Sequence, residues 1–383
     1  MKSKKYIVLL LSGLLVISSC ITQFVPETDE NDTMLVVEGL ITDQPGIYTV
    51  KLSKSLPLSA DYATEVLSGC TVSISDDQGN WVNLNEIQIP GTYATNGIFK
   101  GVVGRKYRLH INTNNPVMSY YSYESLPMEM KPAPPIDSVY YDKIDTEVNV
   151  EGRVLEQECQ IYLNTADPDG LCKYYRWDFS ETWMFRLPYD VPNRTCWISN
   201  NSKSIFIKNT SVLSEDVIEK MPINYITTNT DRLSERYSLL VNQYSLNEDE
   251  FNYWEKLQNV TENVGSLYDI TPVSIPGNVF CIENPAIQVL GYFSVSAVAS
   301  KRIFIEDSFK GLVHLYTQCP SDTIYGTALP PPPENVGISY WQIIDNTFDM
   351  NNPYRVYTML KGCADCTMRG TTVEPSFWRD EEN

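Results

Sequence analysis

Apolar and polar residues alternate with a period of two in one short run after another. Tyr48, Val50 and Leu52 alternate with Thr49, Lys51 and Ser53; Cys70, Val72 and Ile74 with Thr71, Ser73 and Ser75; Tyr107, Leu109 and Ile111 with Arg108, His110 and Asn112. Successive side chains of a pleated strand point to opposite faces, so each run builds one buried and one wet face, the pattern of antiparallel sheet. Turn residues separate the runs: Asp43-Gln44-Pro45-Gly46 and Asp76-Asp77-Gln78-Gly79-Asn80 supply the proline, glycine and Asx side chains that tight turns use. The 25 tyrosines suit half-buried pleated surfaces. The expected fold is mainly β, with two antiparallel β-sandwich domains of immunoglobulin-like kind.

Pro132, Pro134 and Pro135 form a stiff connector. Residues 34–127 are expected to form the N-terminal sandwich. Residues 128–383 are expected to form the second, with an inserted helix and a long C-terminal tail. Strands of the second unit are predicted at 138–141, 159–164, 174–179, 204–207, 236–244, 289–297 and 301–305. The helix is predicted over 246–262: Asn247 caps it, Glu250 completes a capping box, and Leu246 staples onto Phe251. Phe251, Trp254 and Leu257 give it one apolar stripe, which packs on the sandwich or on a partner.

Both ends of the chain carry their own signals. Lys2, Lys4 and Lys5 precede an apolar run from Tyr6 to Ile17, then Ser18-Ser19-Cys20. That order is a signal peptide over residues 1–19 with a lipobox-like end, and Cys20 is the residue expected to carry lipid. Residues 20–33, polar and acidic, read as a tether. No later window is apolar for long enough to span a bilayer. A net charge of −19 repels phosphate backbones, which argues against nucleic-acid binding. Eight cysteines follow Cys20, and an exported chain meets an oxidising compartment. Cys363-x-x-Cys366 is therefore expected to be structural, pinning the tail to the second unit with Cys319 as a candidate partner.

The chain is poor in groups that do chemistry at neutral pH. Its only histidines are His110 and His314, and it has no zinc-protease helix, serine elbow or phosphate-binding glycine loop. No cofactor or catalytic residue is expected. Asp167-Pro168-Asp169-Gly170 places two carboxylates on a tight turn, so Asp167 and Asp169 are calcium candidates, but a β-turn accounts for the same residues and no further ligand set is visible. Tyr120, Tyr121 and Tyr123, and separately Tyr174, Tyr175 and Trp177, could stack on sugars or could pack a core. Phe251, Trp254, Tyr174 and Trp177 are the candidate contacts for a ligand or partner. A hydrolase using paired carboxylates, and a purely structural or adhesive module, are the alternatives.

Four segments together resemble one family. Leu35-Val36-Val37-Glu38-Gly39-Leu40-Ile41-Thr42-Asp43, Arg236-Tyr237-Ser238-Leu239-Leu240-Val241 running into Gln243-Tyr244-Ser245-Leu246, Leu290-Gly291-Tyr292-Phe293, and Cys363-Ala364-Asp365-Cys366-Thr367 followed by Pro375-Ser376-Phe377-Trp378 are similar to the Bacteroidetes-type lipoproteins of the domain of unknown function 4249 family. The resemblance implies an outer-membrane lipoprotein encoded beside TonB-dependent receptors, with such a receptor as partner and a glycan or other small nutrient as ligand. It carries no catalytic residue with it.

Overall fold

The computed structural model describes residues 34–55, 65–113, 120–262, 275–312, 319, 322–325, 342–345, 354–358 and 361–378. The expected signal peptide (1–19), Cys20, the expected tether (20–33), His314 and prolines 330–333 lie outside them. The described chain is mainly β, as the period of two predicts.

The first sheet draws on β1 (Leu35–Ile41), β2 (Thr49–Lys54), β3 (Glu65–Val66), β4 (Thr71–Asp76), β5 (Trp81–Glu86), β6 (Thr92–Thr95), β7 (Lys106–Asn112), β8 (Ser122–Ser125) and β9 (Met128–Glu129). The second unit begins with β10 (Ile136–Val148), β11 (Val154–Ala166), β12 (Tyr174–Arg186), β13 (Thr195–Asn201), β14 (Phe206–Asn209), β15 (Val217–Ile226) and β16 (Tyr237–Ser245), then α1 (Glu248–Glu262). β17 (Val279–Cys281), β18 (Val289–Val295) and β19 (Val298–Ile305) follow, and β20 (Asp322–Tyr325), β21 (Gln342–Asp345) and β22 (Tyr354–Thr358) make a separate small sheet.

β17 and β18 return to the first sheet, whose order is β17-β8-β7-β4-β5-β6-β2-β1-β18. β18 pairs parallel to β1, from Leu35 opposite Val289 to Ile41 opposite Val295. The run at 289–297 was expected in the second unit. Its first seven residues belong to the first because Val289, Phe293 and Val295 are buried in that core, with Val37, Leu52, Tyr93 and Leu109. The two ends of the sheet meet: the Asn278 amide donates to the Phe293 carbonyl at 2.8 Å and its oxygen accepts the Phe293 N–H at 2.9 Å. The result is a nearly closed, barrel-like sheet. Glycine is required at the β1–β18 contact, since Gly291 has φ +81° and a Cβ there would sit 2.0 Å from the Val37 carbonyl oxygen.

In the second unit, a three-stranded sheet (β10-β11-β15) and a larger one (β13-β12-β16-β19, with β14 beside β12) share one core. Ile161 and Leu163 come from the first, Tyr175, Trp177, Leu239 and Val241 from the second. The Trp177 indole donates to Gln243 Oε1 at 2.8 Å, satisfying its one polar atom inside. The tail is fixed to the outside of the larger sheet. Cys366 is disulfide-bonded to Cys196 and Cys363 to Cys319. Trp378 packs edge-on against Trp197 and Phe304, and the Arg302 guanidinium lies 3.6 Å over the Phe377 ring.

Candidate functional site

α1 lies in the seam between the two bodies. Three acidic residues, Glu248, Asp249 and Glu250, occupy its first turn, where the helix dipole favours them. The Asn247 side-chain amide donates to the Glu129 carbonyl at 2.9 Å, tying the helix start to β9, and Gln258 donates to the Ile205 carbonyl at 2.7 Å, tying its last turns to the approach to β14. Tyr253 packs on the first core, while Phe251 joins Tyr244 and Leu246 in a small cluster of its own.

Glu250 departs from its expected role. In place of a capping-box bond, its side chain turns inward, fully buried, and neither carboxylate oxygen has a hydrogen-bond partner. Burial pushes the carboxyl up to about 7, against weaker opposing effects of the neighbouring Ser294 hydroxyl, Arg176 and Trp254. All three of these neighbours also line the cleft.

That cleft has a volume of about 890 Å³, within the range of small-molecule sites. β1 and β2 supply Val36, Glu38, Leu40 and Lys51; β12 supplies Arg176 and Asp178. α1 supplies Tyr253, Trp254 and Leu257, and β18 supplies Tyr292 and Ser294. The aromatic wall is packed: Tyr253 and Tyr292 have ring centroids 4.7 Å apart, and Tyr253 meets Trp254 edge-on at 5.6 Å. Burial raises the proton affinity of both tyrosines, with Glu250 and Asp249 adding to it at Tyr292 and Glu38 at Tyr253. Two buried donors at this wall, Arg176 Nε and Trp254 Nε1, have no hydrogen-bond partner. Orphaned buried donors are rare in native proteins and ask for an explanation.

Among the sequence candidates, Trp254 lines this cleft. Phe251 is buried against Tyr174, ring centroids 5.3 Å apart, and so holds the helix down. Trp177 is buried in the second core, stacked on Tyr175 at 5.7 Å, and is withdrawn as a ligand contact. Tyr120 is exposed and Tyr123 buried, so the first tyrosine cluster forms no common platform. Asp167 and Asp169 diverge: the Asp167 carboxylate accepts the Cys172 N–H at 2.7 Å, while Asp169 faces solvent on a turn closed by the Gly170 N–H to the Asp167 carbonyl. A recess of about 810 Å³ does lie beside this turn, but its polar groups serve the fold, with Lys173 3.2 Å from Asp216 and the Tyr175 hydroxyl donating to the same carboxylate. Among the described residues, no group of three or more His, Cys, Asp or Glu side chains is placed to hold a metal.

One arrangement was not foreseen. On the outer face of the first sheet, Ser75 Oγ lies 2.8 Å from His110 Nε2, and His110 Nδ1 lies 3.2 Å from Glu124, which also pairs with Arg108 at 2.6 Å. Burial lowers the imidazole pKa, outweighing Glu124, so the ring is neutral at neutral pH. The order serine–histidine–carboxylate is that of a nucleophile relay. β4, however, is hydrogen-bonded to β5 on one side and β7 on the other, so its backbone N–H groups are spent in the sheet and offer no oxyanion hole. Trp81 stacks on His110 at 4.5 Å and caps the row. Cross-strand neighbours on a wet sheet face form such rows for stability.

Fold and cleft together define a mainly-β protein of two packed bodies with a ligand-sized cavity at the helix that joins them. A family model described as Domain of unknown function (DUF4249) matches residues 21–302, and the chain belongs to that family. The match takes in every strand that lines the cleft. No curated protein matches the chain.

Proposed function

We propose that the chain is a non-enzymatic lipoprotein of the outer membrane, held by acyl chains on Cys20, and that it serves a TonB-dependent nutrient-uptake system as an accessory binding component. The α1 cleft is its ligand site in this reading. The observation that carries the proposal is that cleft: a large cavity with an aromatic wall and, on its lining, the Arg176 guanidinium, whose buried Nε has no protein acceptor. The charged, apolar and small residues ahead of Cys20 support the anchoring, because each buried methylene is worth about 0.8 kcal/mol and two or three chains hold a protein durably. Two disulfides suit an oxidising compartment. The paired sheets of the second unit fit an immunoglobulin-like sandwich.

Affinity capture from native membranes tests the accessory role: a TonB-dependent receptor recovered with the wild type and lost when the cleft is altered at Trp254 supports it, and no receptor overturns it. In the same cells Cys20→Ala is expected to move the protein from the membrane fraction to the soluble one.

A second reading has one observation in its favour, since Glu38 and Asp178 share an aromatic-walled cleft and paired carboxylates hydrolyse glycosides. Such a pair needs one carboxyl that donates a proton. Asp178 is committed to Asn242, which donates to it at 2.8 Å, and the carboxyl that burial does keep protonated, Glu250, is sealed from the cavity. Turnover of a glycoside panel that disappears in Glu38→Gln would replace the binding reading with the hydrolytic one.

A further inference from the structure

Arg176 is a poorly satisfied cation at the seam, its buried Nε without an acceptor. It sits near the start of β12, opposite Tyr244 of β16, and its guanidinium carbon lies 4.4 Å from the Tyr244 ring centroid and 4.7 Å from that of Trp254. Only 13% of its side chain is exposed, and that part opens on the cleft. Its nearest carboxylate, Asp178, is 3.8 Å away, beyond hydrogen-bond reach, with one oxygen already taken by Asn242. Among the described residues no group accepts a hydrogen bond from any of the guanidinium N–H groups. Stacked rings satisfy the faces of a guanidinium and leave its edge, whose fork of donors matches a planar anion.

We propose that the cleft takes a small organic carboxylate, with its anionic group on the Arg176 edge and an uncharged ring or aliphatic body against Trp254 and Leu257. This rests on the cleft being the ligand site. The surroundings select the charge: one negative charge answers Arg176, with Lys51 as a second lining cation, whereas a dianion would meet Asp178 and Glu38. They also select a free carboxylate over an extended peptide, because β1 is hydrogen-bonded on both sides, to β2 and β18, and offers no strand edge to pair with.

Matched probes separate this inference from the reading beneath it. Glucuronate and glucose, and benzoate and benzamide, are titrated calorimetrically into the full mature chain. The carboxylate of each pair is expected to bind at least tenfold more tightly than its neutral partner. Arg176→Lys keeps the charge but loses the fork, so that preference falls at least fivefold. Asp178→Asn removes the competing carboxylate and tightens carboxylate binding. Equal binding of neutral and charged partners to the wild type would overturn the carboxylate inference while leaving the cleft as a ligand site. If no probe binds and receptor capture is also insensitive to Trp254, both fall. The wild-type comparison needs no variant to fold.

Discussion

Glu181 and Glu250 are both carboxylates removed from water, one inside the second unit and one at the floor of the α1 seam. Around Glu181 the fold supplies everything: Arg232 at 3.0 Å, the Tyr237 hydroxyl at 2.7 Å and the Asn224 amide at 3.2 Å. Around Glu250 it supplies nothing that meets hydrogen-bonding geometry, and beside it Arg176 and Trp254 keep orphaned donors. A core that can satisfy one buried glutamate so fully has no general difficulty with the task. Other buried polar atoms also lack partners, Trp183 Nε1 and Trp197 Nε1 among them, but around Glu250 an unmatched carboxylate and two unmatched donors gather at the wall of an aromatic-lined cavity.

The contrast can be broken most readily at its satisfied end. Glu181→Leu leaves the largely buried Arg232 charge without its counter-ion and takes one partner each from the Tyr237 hydroxyl and the Asn224 amide, so urea unfolding at pH 7 should show a loss of about 3–5 kcal/mol; a loss under about 1 kcal/mol would mean the network contributes little. Glu250 should respond to pH in the opposite sense from an ion-paired acid. Its folded-state pKa, about 7, lies above the ordinary 4.5, so the folded protein holds a proton that the unfolded chain has released. Its contribution is full below about pH 4.5 and is lost as pH rises through 7, a decline of about 3 kcal/mol. Unfolding midpoints measured from pH 4 to 8 should show this slope in the wild type and not in Glu250→Gln.

Sign then sharpens the comparison. At pH 8, Glu250→Leu should raise stability by about 1–3 kcal/mol, where the same change at Glu181 lowers it. Smallest of all is the sheet-face row. Ser75→Ala should alter stability by no more than about 0.5 kcal/mol, and a fluorophosphonate probe should leave Ser75 unlabelled; labelling there would turn the row into a working nucleophile.

The strands, the turns and α1 were readable because each is a local period: two for Thr71–Asp76 and its neighbours, a cap and an apolar stripe for Glu248–Glu262. What pairs with what was not. The run beginning at Val289 looks like any buried strand, and nothing in it says that its partner is β1, because a parallel pair has no shared turn to announce it. The cleft was half readable for the same reason. Trp254 stood out on its helix, but Arg176 and Asp178 read as the polar positions of an aromatic strand, and only the fold brings Glu38 and Tyr292 to them. Glu250 misled outright, since a glutamate three residues after an asparagine is the sign of a capping box whether it turns back to the cap or inward. Trp177 and Trp254 carry the same ring, and burial alone separates core from site.

The pairing of β1 with β18 also sets an order of events in time. Asp43, just past β1, accepts a hydrogen bond from the N–H of Val298, 255 positions later. A chain delivered from its N-terminus therefore exposes the first strand long before its neighbour arrives, and the barrel-like sheet closes only after most of the second unit has been made. Closure of so long a loop is slow, and the open strand edge is a site for wrong partners while it waits. The first unit opens the chain yet cannot close its sheet until Val289–Val295 has been made, and until then β1 has to be kept from wrong partners.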